Sequence, residues 1–234
     1  MKFSTGVKAL DALLEGGIEF GVITHFFGSF GVGKSILAQQ LSVTLLKETN
    51  LNNKVIFFDT EGSFNINKIS KISTRFGLDP QHVLKNILYK RIWSFEEQEV
   101  FLKISEDYIK KYNVKLIVID CLTTHLRSEF NQDVLALRQS NLETHLNRLL
   151  DISEKYDVAS VITNQVVSGF VGENERSSEK PVGGNIIVKY SKYSIRLVRL
   201  KNRRYATLFG VDDLDTNFAP FIIADDGIRD EIVK

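Results

Sequence analysis

Eight residues near the amino terminus have the types and spacing of a phosphate-binding loop. Residues 28–35 read Gly-Ser-Phe-Gly-Val-Gly-Lys-Ser, which fits the pattern G-x-x-x-x-G-K-[ST]. In such a loop the glycines let backbone N–H groups surround phosphates, Lys34 reaches the β- and γ-phosphates, and the Ser35 hydroxyl ligates Mg²⁺. The sequence therefore predicts a bound nucleoside triphosphate. The expected contacts are Gly28, Ser29, Phe30, Gly31, Val32, Gly33, Lys34, Ser35 and Ile36.

The segments on either side of this loop support the same prediction. Residues 22–27 form an apolar run typical of a strand, and residues 36–41 continue with the composition of a helix. The anion would then lie at a helix amino terminus, where unsatisfied N–H groups and the helix dipole favour negative charge.

Two carboxylates follow apolar runs and are candidates for the chemistry. Asp120 ends the run 116–119, which is the Walker B arrangement, and we expect it to hold Mg²⁺ through water. Glu61 follows the run 55–58, where a carboxylate can orient or deprotonate the water that attacks the γ-phosphate. The alternative for Glu61 is a capping acid for the next helix.

A glutamine follows a third apolar run. Residues 158–163 lead into Asn164-Gln165. An amide at the carboxyl end of a buried strand can contact the γ-phosphate and transmit its presence to the loop that follows, so we expect Gln165 to take part in the site. The alternative is an ordinary polar strand end.

The pattern of apolar residues predicts the elements that position these side chains. The strand-like runs are 55–58, 87–89, 116–119 and 158–163, and the helix-like segments are 66–76, 95–112 and 134–156. Because the runs are apolar throughout, both faces of the sheet should be covered, as in a mainly parallel sheet. Runs at 194–200, 205–211 and 221–224 follow one another without helices. The predicted fold is α/β, a P-loop core with a doubly wound parallel sheet and a C-terminal antiparallel β-meander.

The composition is that of an ordinary globular protein. A length of 234 residues with 43% hydrophobic and 25% charged residues suits one domain over residues 1–234. The single cysteine, Cys121, excludes a disulfide framework and is expected in a small buried site. No apolar stretch approaches the roughly 20 residues of a membrane span, and we expect a cytoplasmic protein without membrane contact.

A basic segment near the carboxyl terminus is a candidate nucleic-acid surface. Residues 180–211 contain no Asp or Glu, while lysines, arginines and tyrosines alternate there. Cations contact phosphates and aromatic rings stack on bases, so this composition is typical of single-strand binding. The alternative is a solvated edge hairpin whose charges keep neighbouring strands from pairing. The residues expected to bind DNA are Lys189, Lys192, Lys201, Arg203, Arg204 and, after the Walker B strand, Arg127.

Taken together, these motifs resemble the RecA/RadA recombinase superfamily. The matching segments are Ser-Thr-Gly-Val-Lys-Ala-Leu-Asp at 4–11, Gly-Gly at 16–17, the P-loop, Asp-Thr-Glu-Gly at 59–62, Ile-Asp at 119–120, Thr-Asn-Gln at 163–165 and Pro-Val-Gly-Gly-Asn at 181–185. The resemblance runs from residue 4 to about residue 230, and it is greatest to the short archaeal RadB group, which is essentially a RecA-like ATPase core.

The resemblance implies roles for several residues. In that superfamily the residues matching Lys34, Ser35 and Asp120 bind Mg²⁺ and ATP, the residue matching Glu61 is the catalytic carboxylate, and the one matching Gln165 couples nucleotide to DNA. The resemblance also implies that Lys34 acts in catalysis. Two loops contact DNA, and they correspond here to residues 130–134 and 166–181.

The departures from the superfamily pattern are also informative. Lys68 stands where an arginine stacks on adenine, and an ammonium stacks less well than a guanidinium. The acidic segment 212–217, at the place of the cap over a neighbour's nucleotide, lacks the usual proline. Strand-exchange recombinases carry an N-terminal helical domain and a linker whose Phe-x-x-Ala motif inserts into the next subunit. This chain is expected to consist of the core alone.

These features lead to an expected function. We expect an ATP-binding, DNA-binding accessory protein of homologous recombination and DNA repair, with weak ATPase activity. The expected partners are single-stranded DNA, a full-length RadA-type recombinase and a second copy in a homodimer. One alternative is a DNA-stimulated ATPase active in strand exchange. The other is a regulatory P-loop ATPase of the KaiC type.

Overall fold

The computed structural model describes residues 1–129, 135–167, 180–210 and 218–231. Strands and helices alternate through most of this part of the chain. The helices are α1 (Lys8–Leu13), α2 (Lys34–Glu48), α3 (Ile66–Arg75), α4 (Pro80–Lys85), α5 (Phe95–Tyr112), α6 (Thr124–Glu129), α7 (Leu135–Tyr156) and α8 (Asn185–Tyr190). The strands are β1 (Lys2–Phe3), β2 (Ile18–Glu19), β3 (Ile23–Phe27), β4 (Lys54–Asp59), β5 (Ile87–Arg91), β6 (Val114–Asp120), β7 (Ala159–Asn164), β8 (Val166–Val167), β9 (Lys180–Pro181), β10 (Tyr193–Leu200), β11 (Arg203–Leu208), β12 (Phe218–Ala224) and β13 (Gly227–Asp230).

A nine-stranded sheet forms the centre of the fold. Its strand order is β13-β12-β11-β10-β3-β7-β6-β4-β5. The six strands from β10 to β5 pair in parallel, and β10 to β13 pair antiparallel in sequence order. The predicted α/β fold, a mainly parallel sheet with a C-terminal antiparallel meander, is confirmed.

Helices cover both faces of the parallel strands, which explains why those strands are apolar throughout. In β6, Leu116 and Val118 pack into the core around α2, while Ile117 and Ile119 pack into the core under α5 and α7. All four side chains are fully buried. Successive side chains of a strand point to opposite faces, so a strand covered on both sides needs an apolar residue at each position.

Several helices begin where a side chain can satisfy their first N–H groups. Asn65 accepts a hydrogen bond from the Lys68 backbone N–H before α3, and Ser94 accepts one from Glu97 before α5. Such caps stabilise a helix by about 1 kcal/mol. Asn65 is the N-cap of α3, so the alternative prediction, in which Glu61 caps that helix, is wrong.

Two features of the carboxyl-terminal third differ from the sequence prediction. Residues 185–190 form the short helix α8, so the basic segment is a helix followed by a hairpin. The strand β13 was not predicted, because it has only four residues and is set by its pairing with β12 rather than by a pattern of its own. Within the described ranges, no helix has the length and apolar character needed to span a bilayer.

Candidate nucleotide site

The carboxyl ends of the parallel strands bring the predicted catalytic residues to one edge of the sheet. The phosphate-binding loop follows β3, Glu61 follows β4, Asp120 ends β6 and Gln165 follows β7. These four strands are neighbours in the sheet. A cleft of about 630 Å³ opens there. It is lined by Phe30, Gly31, Gly33, Lys34, Ser35, Ile36, Thr60, Glu61, Ser63, Thr124 and Gln165.

Glycines are required at two points of the loop. Gly33, just before α2, has a φ of 112°, a left-handed conformation that other residues rarely adopt. A Cβ at Gly28 would lie 2.2 Å from the backbone oxygen of Leu197 on β10. The loop therefore packs closely against the β10 backbone, and Gly33, Lys34 and Ser35 at the start of α2 line the cleft.

The Lys34 ammonium is held across the loop. Its Nζ donates to the backbone oxygens of Gly28 at 2.8 Å and Ser29 at 2.9 Å, and the residue is 8% exposed. Burial lowers the pKa of Lys34, and the nearby Cys121, Glu61 and Asp120 oppose that shift. A cation in this position is suited to contact phosphate oxygens. Ser35 lies beside it on the first turn of α2 and lines the cleft.

Asp120 is buried and both of its carboxylate oxygens accept hydroxyl hydrogen bonds. Thr163 Oγ1 donates to Oδ1 and Ser63 Oγ donates to Oδ2, each at 2.5 Å. The carboxylate is 1% exposed. Fixed donors of this kind orient a metal-binding carboxylate and suit contact with Mg²⁺ through water. The next residue, Cys121, is buried as expected, and burial raises its thiol pKa to about 11.

Glu61 and Gln165 meet although they follow different strands. Gln165 Nε2 donates to Glu61 Oε1 at 2.7 Å, and Thr124 Oγ1 lies 3.3 Å from the same oxygen. The loop that carries Glu61 is fixed by Asp59, whose Oδ1 accepts the backbone N–H groups of residues 61–63. Sequence reasoning missed this role of Asp59. An Asp at a strand end, three residues before a glycine, was the available signal.

Four predicted nucleotide contacts do not line the cleft, namely Gly28, Ser29, Val32 and Lys68. Lys34 binds the carbonyls of Gly28 and Ser29, and Val32 is 1% exposed beneath the loop. Lys68, the residue at the adenine-stacking position, donates from Nζ to the backbone oxygen of Asp225 in the β12–β13 turn at 2.9 Å. Lys68 thus joins α3 to this turn.

The residues predicted to bind DNA do not form a single groove, and the structure corrects that expectation. Lys189 and Lys192 precede β10, at the edge opposite the cleft, because β10 runs parallel to β3. Lys189 pairs with Glu143 at 2.9 Å and Lys192 with Glu19 at 2.6 Å. Residues 180–211 contain no acid of their own, and the acidic partners of these two lysines therefore come from other elements.

The β10–β11 hairpin end lies at the other edge of the sheet, the one that carries the cleft. Lys201 and Arg203 are exposed there, and Arg203 lies 3.4 Å from Glu231. Arg204 is partly buried. The side chain of Arg127, on α6, lies outside the described residues, as do residues 130–134 and 168–179 of the two predicted DNA loops. The base of the second loop is the antiparallel pair β8–β9.

One face of the meander carries exposed apolar side chains. Leu200 is 58% exposed and Phe218 is 42% exposed. Phe218 packs edge-on against Tyr205, with 5.6 Å between the ring centroids. These side chains and Pro220 form a groove next to Lys201 and Arg203. The sequence indicated the cations, but Phe218 was not foreseen, since its proximity to Tyr205 depends on β11–β12 pairing.

Comparison with known proteins finds similarity over almost the whole chain. The Rad51 family model matches residues 1–231. The DNA repair and recombination protein RadA of Ignicoccus hospitalis is 38% identical over 242 residues, which cover 98% of this chain and 73% of that protein.

Replacing Lys34 with alanine should weaken nucleotide binding strongly without unfolding the chain. The substitution removes the ammonium inside the loop, and a lost charged contact of this kind costs about 1.5–3 kcal/mol, or roughly 10- to 100-fold in affinity. Titration of a fluorescent ATP analogue measures the change. Lys47→Ala, at the far end of α2, is the matched control, and equal affinity in the Lys34 variant would contradict the phosphate-binding role.

Proposed function

This chain belongs to the Rad51 family, and we propose that it is an ATP-binding, DNA-binding accessory protein of homologous recombination and DNA repair. We further propose that it hydrolyses ATP slowly. The observation that carries the proposal is that Lys34 and Glu61 line one cleft, with Glu61 bonded to Gln165 and the buried Asp120 bonded to Ser63 of the cleft lining. Membership of the Rad51 family disfavours the KaiC-type regulatory alternative.

The geometry supports a defined division of roles toward Mg²⁺ and ATP. The N–H groups at the start of α2 and the Lys34 ammonium would hold the phosphates. The Ser35 hydroxyl would ligate Mg²⁺ directly, and Asp120, whose oxygens already carry two hydroxyl donors, would hold it through water. Each of these groups lies on the cleft or directly beneath it.

Glu61 is the group best placed to orient an attacking water. It is exposed at the cleft, whereas Asp120 and Asp59 are buried and accept hydrogen bonds at both carboxylate oxygens. Gln165 holds one of its oxygens and leads into the second predicted DNA loop. We propose that this contact couples DNA binding to hydrolysis. Slow turnover is supported by Lys68, which contacts the Asp225 carbonyl and lacks the planar guanidinium that stacks on adenine.

The hairpin end is the surface that we propose for single-stranded DNA. The groove beside Tyr205 and Phe218 combines apolar and aromatic side chains with Lys201 and Arg203. Its lining has no acid within the described part of the chain, and Glu231 lies 3.4 Å from Arg203. Aromatic faces stack on any base, while the cations contact phosphates. At the opposite edge, Lys189 and Lys192 lie over the rings of Tyr190 and Tyr193, but each forms a close ion pair with an acid.

The free edge of the sheet is the surface that we propose for a full-length RadA-type recombinase. β5 is the terminal strand, and a groove of about 450 Å³ separates it from α5. Tyr89, Ile104 and Tyr108 are exposed by 45%, 37% and 43% along this groove. An extended segment can pair with such an edge while its apolar side chains enter the groove. The insertion motif of a recombinase linker has that character.

Hydrolysis should depend on Glu61 and Asp120 in different ways. Glu61→Gln should suppress ATP turnover by about 10²- to 10⁴-fold with nearly normal ATP binding, since only activation of water is lost. Asp120→Asn should instead weaken Mg²⁺-dependent binding. Phosphate release measured with and without single-stranded DNA tests both. Strong DNA stimulation of the parent would favour the strand-exchange alternative over the accessory role, and undiminished turnover in Glu61→Gln would assign catalysis elsewhere.

DNA affinity should depend on the hairpin end and not on the opposite edge. Lys201→Ala combined with Arg203→Ala should weaken binding of oligo-dT and reduce the slope of log K against log salt by about one per lost phosphate contact. Lys189→Ala with Lys192→Ala removes the same charge and is the matched control. Fluorescence anisotropy over a salt series measures both pairs. Equal slopes for the two double variants would contradict DNA binding at the hairpin and favour the alternative, a solvated hairpin that protects the sheet edge.

Docking of the recombinase should depend on the groove beside β5. Ile104→Glu places a charge among its apolar lining and should lower affinity for a full-length RadA-type recombinase at least tenfold, because the carboxylate would be buried without a partner. Lys103→Glu, exposed on the same helix, is the control. Binding measured by interferometry at parental strength in the Ile104 variant would exclude this groove as the docking site.

A further inference from the structure

A threonine with no role in the site predicted from sequence lies next to the catalytic carboxylate. Thr124 is the first residue of α6, immediately after the turn that follows Asp120. Its Oγ1 is 3.3 Å from Glu61 Oε1 and 3.0 Å from the Thr60 hydroxyl. Thr60 and Glu61 follow β4 and Thr124 begins α6, so only the packed fold brings the Thr124 hydroxyl to the other two side chains.

Counting protons shows which acceptor the Thr124 hydroxyl takes. Thr60 Oγ1 accepts from the Cys121 backbone N–H, and its one proton can go to the Cys121 carbonyl at 2.8 Å or to Thr124. Thr124 likewise has one proton, for Thr60 or for Glu61. The carboxylate is the charged acceptor of this set, and hydrogen bonds to charged groups are about twice as strong as neutral ones. The Thr124 proton is therefore directed to Glu61.

Both donors contact the same oxygen of the carboxylate. Gln165 Nε2 and Thr124 Oγ1 each bond Oε1, while Oε2 receives no donor from any residue in the described ranges. Two donors on one oxygen fix the rotation of the carboxylate about its terminal bond. Oε2 then keeps its lone pairs for a water molecule, which is the arrangement that a water-orienting group requires.

The two donors also lie at the entrances of the two segments predicted to contact DNA. Thr124 begins α6, which ends at Glu129 directly before residues 130–134. Gln165 precedes β8, which leads into residues 168–179. Glu61 Oε1 thus accepts one hydrogen bond from the first residue of α6 and one from the residue that precedes β8. A displacement of α6 would change the Thr124 contact just as a displacement of β8 would change the Gln165 contact.

We propose that Thr124 is a second positioning residue for Glu61, which together with Gln165 aligns the carboxylate and links α6 to ATP hydrolysis. The proposal rests on the proposed function, because it requires Glu61 to act on the attacking water. A hydroxyl group on α6 thus shares with Gln165 the coupling between the DNA segments and Glu61.

The test compares three threonine variants in steady-state ATP hydrolysis with and without oligo-dT. Thr124→Val keeps the shape and removes the hydroxyl, Thr124→Ser keeps the hydroxyl, and Thr144→Val removes a hydroxyl that bonds only the Ser140 carbonyl on α7. We expect Thr124→Val to lower kcat about fivefold to tenfold and to reduce stimulation by DNA, with KM and ATP affinity unchanged. Thr124→Ser should restore kcat to within about twofold, and Thr144→Val should match the parent.

A double variant shows whether Thr124 acts through Glu61. If it does, Thr124→Val should cause no further loss in the residual rate of Glu61→Gln. A parental kcat in Thr124→Val, equal losses in the Val and Ser variants, or an additive loss in the double variant would each overturn the proposal. A parent protein that binds ATP but shows no hydrolysis under either condition would overturn the proposed ATPase function itself, and that result is distinct because no variant would then have a rate to compare.

Discussion

The register of the parallel strands is the constraint on which the rest of the site depends. Asp59 on β4 is paired with Asp120 on β6, and Phe27 on β3 is paired with Asn164 on β7, so the four strands end on one line. A slip of one residue would turn every side chain of a strand to the other face. It would expose apolar residues and also remove a carboxylate from the cleft. Selection for the core and selection for the chemistry thus fix the same register.

The buried carboxylates at these strand ends are stabilised by hydrogen bonds from backbone N–H and hydroxyl groups, and not by nearby cations alone. Asp59 accepts three backbone N–H groups at one oxygen and a fourth, from Phe64, at the other, and Arg91 lies 3.6 Å away. Asp120 accepts two hydroxyl groups. An unpaired buried charge costs several kcal/mol, so these donors are necessary for folding. The donors that satisfy Asp59 also hold the loop that presents Glu61.

The sequence was sufficient to predict which residues meet at the candidate site where these residues are neighbours in the chain, or where the known geometry of parallel strands brings them together. The P-loop, Asp120, Glu61 and Gln165 could be predicted because each follows an apolar run, and such runs end together in an α/β sheet. Thr124 and the Tyr205–Phe218 pair could not be predicted, since their contacts join distant elements. The basic segment was misjudged as one surface because the acids that neutralise Lys189 and Lys192 lie far away in sequence, on α7 and β2.

Lys34 and Glu61 already have protein partners in the cleft, and these partners affect how a ligand binds. The Lys34 ammonium donates to two carbonyls, and Glu61 accepts from Gln165 and Thr124. A phosphate is a better acceptor for an ammonium than a neutral carbonyl, so exchanging the partner of Lys34 is favourable. Glu61 differs, because the water molecule that it binds is neutral. That water adds a hydrogen bond to the carboxylate and does not replace those from Gln165 and Thr124. Nucleotide binding is therefore expected to depend little on the position of the DNA segments, whereas alignment of Glu61 depends on residues that lead into both. This asymmetry allows a protein to bind ATP firmly while its hydrolysis responds to DNA.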